Sequence, residues 1–140
     1  MQIRQLHICD DLQLEVLAQL MHQLSERITL TREALIHVVD DPNSRLYVME
    51  DGERIIGCAT LCVFHSPTGR KASVEDVVVH ADYRGRHLGR QLMEHILCEA
   101  RRLAPIELML TSKPQRVAAN ALYQSLGFQR KETNCYRLAF

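Results

Sequence analysis

The sequence predicts an α/β (α+β) fold, a mixed sheet flanked by helices, and three observations carry that prediction. A β-branched run at 73–79 is followed by an amphipathic stretch at 86–103 and an apolar run at 106–110. This is a βαβ unit, whose two strands should be parallel. Two β-rich runs, 45–50 and 54–64, meet at Asp51-Gly52, a strong hairpin signal. The full order reads strand, two helices, three strands, helix, strand, helix, strand.

Each element has its own signal. Residues 2–7 read as a short strand. Asp10 and Asp11 stand where a helix cap belongs, ahead of Leu12, Leu14, Val16, Leu17, Leu20, Met21 and Leu24 at helical spacing. Thr31 can cap a second helix carrying Ala34, Leu35, Val38 and Val39, which Pro42 ends. Residues 65–71, with Pro67 and Gly69, read as a turn. In the 86–103 helix, Leu88, Leu92 and Ile96 adjoin Met93, Leu97 and Ala100, and Pro105 ends it. A last helix spans 114–126, with Ser112 and Gln115 at capping-box spacing and Gly127 at the C′ position. Residues 136–140 read as a closing strand.

One hundred and forty residues without a linker, repeat or low-complexity block predict a single domain over 1–140. Lys plus Arg and Asp plus Glu balance at 17 each, so no global field points to nucleic acid or an anionic membrane, and any anion site must be local. No run approaches the roughly 20 apolar residues of a membrane helix, and the N-terminus lacks the apolar core of a secretory signal. The five cysteines form no C-x-x-C pair, so they read as buried thiols in a reducing cytoplasm, with no zinc-ligand spacing among them. Cys58 and Cys62 share one face of their strand, and Cys98 is expected to pack on its helix.

The stretch from Val74 to Met93 carries the chemistry. A buried strand with Val77, Val78 and Val79 enters a loop holding Arg84, Gly85, Arg86, His87, Leu88, Gly89 and Arg90, and then a long helix. The first amides of a helix lack internal partners and carry the positive end of its dipole. Glycines let an anion approach, and the arginines add charge. Diphosphate binding is one outcome of this pattern, and an arginine-rich solvated turn is the other. Glu75 and Asp76 interrupt the apolar strand and by simple alternation point to opposite faces. Asn120 and Tyr123, three apart, share one face of the last helix.

These residues resemble the GNAT N-acetyltransferases. The segment Arg84-Gly85-Arg86-His87-Leu88-Gly89 is similar to the family's R/Q-x-x-G-x-G/A cofactor signature. Glu75-Asp-Val-Val-Val upstream, and Asn120-Ala-Leu-Tyr123 through Leu126-Gly127-Phe128 downstream, are similar to its other motifs. The departure is His87, where the family most often has glycine; a side chain is tolerated there if the backbone stays helical and the ring points outward. The resemblance implies a mixed sheet of six to seven strands with about four helices. It also implies direct transfer of acetyl from acetyl-CoA, in a ternary complex and without a metal, to a primary amine of a small molecule.

By the same resemblance, residues 84–90 hold the pyrophosphate. Val77–Val79 bond the pantetheine and polarise the acetyl carbonyl through their backbone, and Asn120 contacts the pantetheine arm. The Tyr123 hydroxyl faces the departing sulfur, and Glu75 accepts the amine's proton through water. A phenol near pKa 10 facing a thiol near 8.5 suits hydrogen bonding to a developing thiolate better than full proton transfer. A paired or substrate-orienting carboxylate at Glu75, a packing role for Tyr123 and a plain surface amide at Asn120 are the structural alternatives. Transfer to a protein lysine or N-terminus and a non-catalytic acyl-CoA sensor are the functional ones.

Ile56-Gly-Cys-Ala-Thr-Leu resembles the glucosamine-6-phosphate branch of the family. For a sugar phosphate, Arg27, Arg70, Lys71, Arg130, Lys131 and Arg137 are the available cations outside the loop. The family's acceptor groove lies between the first two helices and the last hairpin. A strand at 136–140 would leave an open edge, through which such domains pair as homodimers.

Overall fold

A computed structural model describes all of residues 1–140 and divides into two compact units, 1–110 and 111–140. The first holds a five-stranded sheet in the order β1-β2-β3-β4-β5. The strands are β1 (Gln2–Gln5), β2 (Ser44–Asp51), β3 (Arg54–Ser66), β4 (Gly69–Val79) and β5 (Glu107–Met109). β1 to β4 are antiparallel neighbours, and β5 joins β4 in parallel through Lys71↔Glu107, Ala72↔Leu108 and Ser73↔Met109. Helices α1 (Asp11–Leu24) and α2 (Arg32–Asp40) precede the long strands, and α3 (Leu88–Arg101) connects β4 to β5. The expected βαβ unit and hairpin are both present, with Gly52 at φ 61° in the hairpin turn.

Local chemistry explains the helix starts. Asp10 accepts the Gln13 N–H at 2.7 Å, and Thr31 accepts the Ala34 N–H at 3.1 Å. These are N-caps, each satisfying an amide that the helix itself cannot. Leu17, Leu20 and Met21 of α1 and Leu35 of α2 bury against Leu46, Val48, Ile55, Cys58 and Val78 of the sheet. Leu88, Leu92, Met93, Ile96 and Ala100 form the buried stripe of α3. Cys98 lies two residues, about 200° around the helix, from Ile96, so it is exposed rather than packed. Of the five free cysteines only Cys58 is fully buried; Cys135 is exposed, and Cys9 and Cys62 are half-buried.

β3 and β4 approach closely at Gly57. A Cβ added there would stand 3.0 Å from the Val78 carbonyl oxygen, with the Val79 backbone behind it. Gly57→Ala is therefore expected to cost about 1–3 kcal/mol, the usual range for overpacking a dense site. Urea denaturation checks this, with Gly57→Ala losing midpoint against the wild-type protein.

Several boundaries differ from the sequence reading. The turn expected at 65–71 is nearly all strand, because β3 and β4 pair down to Ser66↔Gly69 and Gly69 takes φ 126°. α3 begins at Leu88 rather than 86, because Gly85 and His87 take φ 78° and 58° and hold the chain out of the helix. In the second unit, α4 spans Val117–Ser125, so the helix starts three residues later than 114. The capping box does not form. Arg116 stands at the N-cap without a side-chain bond, and the Ser112 Oγ is buried without a partner. Gly127 does terminate the helix, at φ 98°.

Residues 128–140 form no strand, which leaves five strands where six to seven are expected. Tyr136, Leu138 and Phe140 alternate as a strand would. They are 88%, 79% and 115% exposed, with no ladder partner to fix them. The edge-strand argument for a homodimer, and the hairpin side of the expected acceptor groove, lose their basis with that strand.

Candidate active site

Two features of β4 and the loop after it build the site. The first is a bulge. β3 and β4 pair as Thr60↔Glu75 and Cys58↔Val78, so two residues of β4, Asp76 and Val77, oppose Ala59. Asp76 takes φ 53°, the left-handed conformation of an inserted bulge residue and one that aspartate tolerates better than most.

The bulge sets Glu75 opposite Thr60, and Asp76 with Val77 opposite Ala59. Burial pushes the half-buried Cys62 thiol upward, and the negative charges of Glu75 and then Asp76 push it further, against hydrogen bonds with Ser44 and Ser73. Cys58, on the same face of β3, is pushed up to about 12 by burial, with Asp76 adding to it. Glu75 and Asp76 are both exposed. Thiols held this far from ionisation do not suit a nucleophilic role for Cys58 or Cys62.

The second feature is the start of α3. Its N-cap is His87 at φ 58° and ψ 21°, with no side-chain cap bond. The first N–H with a helical partner is that of Gln91, which donates to the His87 carbonyl at 3.2 Å. The amides of Leu88 and Gly89 thus stand at the open, positive end of the helix, behind two left-handed residues. The Leu88 side chain is in the core, so it can offer a ligand only its backbone. The backbone at His87 is left-handed rather than right-handed helical, a conformation that favours glycine.

His87→Gly should raise stability by about 0.5–1 kcal/mol. That is left-handed strain of about 1–2 kcal/mol less the extra chain entropy of glycine, roughly 0.5–1. Thermal denaturation measures it, with His87→Val expected to be the least stable of the three proteins.

The arginines divide. Arg84 lends its Nε to the Val79 carbonyl at 3.4 Å, and the Arg86 guanidinium lies 5.1 Å from the Tyr83 ring centroid. Both are exposed beside the helix start. Arg90 instead pairs with Glu94 at 3.0 Å, one turn along α3, so it is the weaker candidate for an anion contact. Val78 is buried in the α1 cluster, and Val77 and Val79 are half-buried.

In the second unit, Asn120 and Tyr123 lie on α4 as expected. The Asn120 side-chain amide donates to the carbonyls of Lys113 at 2.9 Å and Arg116 at 2.8 Å, so it braces the turn before its own helix. Tyr123 is 9% exposed, with its ring edge-on to Phe128 at 6.0 Å. Burial pushes the Tyr123 hydroxyl above the ordinary phenol range, opposed by the positive charge of Arg116. A phenol held neutral in this way is a hydrogen-bond donor throughout the physiological range.

Sequence reasoning missed the loop's anchors. Tyr83 donates its hydroxyl to Asp51 at 3.0 Å, Gln23 accepts the Ala81 N–H at 2.9 Å, and Arg54 meets His80 at 3.3 Å. The one available signal was an aromatic residue directly before Arg84.

Comparison with known proteins agrees with this geometry. The profile described as "Acetyltransferase (GNAT) domain" matches residues 42–130. A [Ribosomal protein bS18]-alanine N-acetyltransferase of Salmonella typhimurium is 38% identical over 58 residues, 41% of this chain and 39% of that protein. An L-amino acid N-acyltransferase of Escherichia coli is 34% identical over 82 residues, 58% and 48% of the two chains. The chain thus spans between about two-fifths and one half of these relatives. A glucosamine-6-phosphate N-acetyltransferase from Arabidopsis thaliana shares the fold at TM-score 0.81 and 19% identity, covering 98% and 97% of the two chains. At that identity the likeness speaks for the fold alone. No helix here is long and apolar enough to cross a membrane.

Proposed function

The chain belongs to the GNAT acetyltransferase family, and from that premise we propose that it is an acetyl-CoA-dependent N-acetyltransferase that moves acetyl directly to a primary amine of a small molecule. One observation carries the reading: the uncapped start of α3 at Leu88 and Gly89, with Arg84 and Arg86 beside it, follows directly on a strand bearing paired carboxylates. Unpartnered amides, a helix dipole and two arginines fit a diphosphate. In this reading residues 1–140 work as one catalytic domain in the cytoplasm.

When bound, acetyl-CoA supplies an acetyl thioester. The backbone of Val77–Val79 is proposed to bond the pantetheine and polarise the acetyl carbonyl, a contribution that no side-chain replacement removes. Glu75 takes the proton of the incoming ammonium through water, because an alkylammonium near pKa 10 is otherwise protonated at neutral pH. The amine nitrogen then forms the new bond to the carbonyl carbon as the carbon–sulfur bond breaks. Tyr123, whose matching residue in the family faces the sulfur, donates its hydroxyl hydrogen bond to the leaving thiolate. Asn120 contacts the pantetheine arm.

A second reading, transfer to the α-amine of a protein N-terminus, is favoured by the likeness to the bS18-alanine enzyme. Incubating the protein with acetyl-CoA and separate pools of amino sugars, amino acids, polyamines, aminoglycosides and peptides, with mass detection, decides between them. Acetylation of a small-amine pool supports the main proposal, whereas acetylation of peptides alone favours the second. Silence in every pool, with acetyl-CoA still raising the melting temperature, would leave an acyl-CoA sensor in its place.

A further inference from the structure

The loop that offers its amides at the start of α3 carries two left-handed residues, Gly85 and His87, and most of its surface is exposed. Such a segment is preorganised only if something holds it. We propose that Tyr83 is a positioning residue, clamping this loop to the β2–β3 hairpin so that the amides of Leu88 and Gly89 are already aimed when a phosphate ligand arrives.

Four contacts carry the inference. The half-buried Tyr83 ends the short 3-10 turn Ala81–Tyr83, and its hydroxyl donates to the Asp51 carboxylate at 3.0 Å, at the hairpin turn. The guanidinium of Arg86, inside the loop, lies 5.1 Å from the Tyr83 ring centroid. That of Arg54, from the first residue of β3, lies 5.8 Å from the same ring. Arg54 also meets His80 at 3.3 Å, on the N-terminal side of the turn. One aromatic side chain thus joins the hairpin, the 3-10 turn and the loop, 32 residues apart in sequence. A ring shared by two cations holds each by cation–π attraction, and it keeps Arg86 beside the helix start rather than free in solvent. Preorganisation of this kind lowers the ordering cost of binding and leaves the chemical step untouched.

The ligand part of the inference rests on the function proposed above, but the clamp itself can be read without any ligand. Hydrogen exchange of the free protein is expected to show the amides of 84–90 opening about tenfold faster in Tyr83→Phe and in Asp51→Ala, with the later amides of α3 unchanged. The two changes break one bond, so the double variant should open no faster than either single one. Exchange in 84–90 that is unaltered in both variants overturns the clamp. So does uniform acceleration across β2 to β4, which would make Tyr83 a general stabiliser.

In the ligand arm, calorimetry with CoA should give about tenfold weaker binding for Tyr83→Leu and a smaller loss for Tyr83→Phe. The KM for acetyl-CoA should rise in step, and kcat at saturation should stay within about twofold. Equal losses in kcat and kcat/KM would overturn the positioning role. If the wild-type protein binds no CoA, the proposed function fails, and the exchange result alone decides whether the clamp exists.

Discussion

Tyr123→Phe is expected to lower turnover by about two orders of magnitude, at the low end of what a positioned acid contributes, while acetyl-CoA binding is retained. The substitution removes one oxygen from a side chain that is 9% exposed, so its packing against Phe128 should survive. Calorimetry and steady-state kinetics on the same preparation separate the two effects. Unchanged turnover would remove Tyr123 from the mechanism and return it to a packing role.

The pH profile adds a second test of the same residue. Burial raises the Tyr123 hydroxyl above its ordinary value, with Arg116 opposing. The donating form should therefore persist beyond the usual phenol range of about 10. Any alkaline fall in kcat due to this group lies above that range and vanishes in the Phe variant. The sign for stability is the same. A raised folded-state value gives stabilisation that is complete below the unfolded value and lost as pH rises through the folded one.

Glu75→Gln should also reduce turnover by about two orders of magnitude at neutral pH, because the amine then loses its route for the proton. Asp76→Asn is the informative partner. Asparagine accepts the left-handed conformation at φ 53° as readily as aspartate, so the bulge should survive the change. Its expected loss is about tenfold or less. An acceptor amine of low pKa arrives already deprotonated, so it should recover most of the rate lost in Glu75→Gln. If both variants keep full turnover, water alone removes the proton and neither carboxylate is the base.

Much of this architecture was legible in the sequence because its signals are local. Asp10 and Thr31 announced their helices by capping, Asp51-Gly52 announced its turn, and the spacing of Leu88, Leu92 and Ile96 announced the buried face of α3. What escaped depended on partners distant in the chain. The bulge at Asp76 is one case, because nothing in the β4 sequence alone shows that the register of β3 opposite it contains one residue fewer. The 136–140 segment has the right pattern for a strand and lacks a partner, and pattern alone forms no hydrogen bonds. Ser112 and Gln115 have capping-box spacing, yet the chain turns again at 114–115 and the helix begins beyond them. The motif at 84–89 was legible as a candidate site. Its anchors on Asp51 and Gln23 were not, since each spans more than thirty residues.

The extra residue at Asp76 has a bearing on how this protein can vary. A bulge takes up one extra residue on one strand, and pairing resumes in phase beyond it. Glu75 faces Thr60 before the bulge and Val78 faces Cys58 after it, so removing Asp76 would leave Val78 opposite Cys58 and in the α1 cluster. The chain would still leave the sheet toward 84–90 in the same phase. What would be lost is one carboxylate and the local bend and added twist of the bulged strand. A change of length at this one position can therefore alter the carboxylates and spare the pleat that leads into the loop.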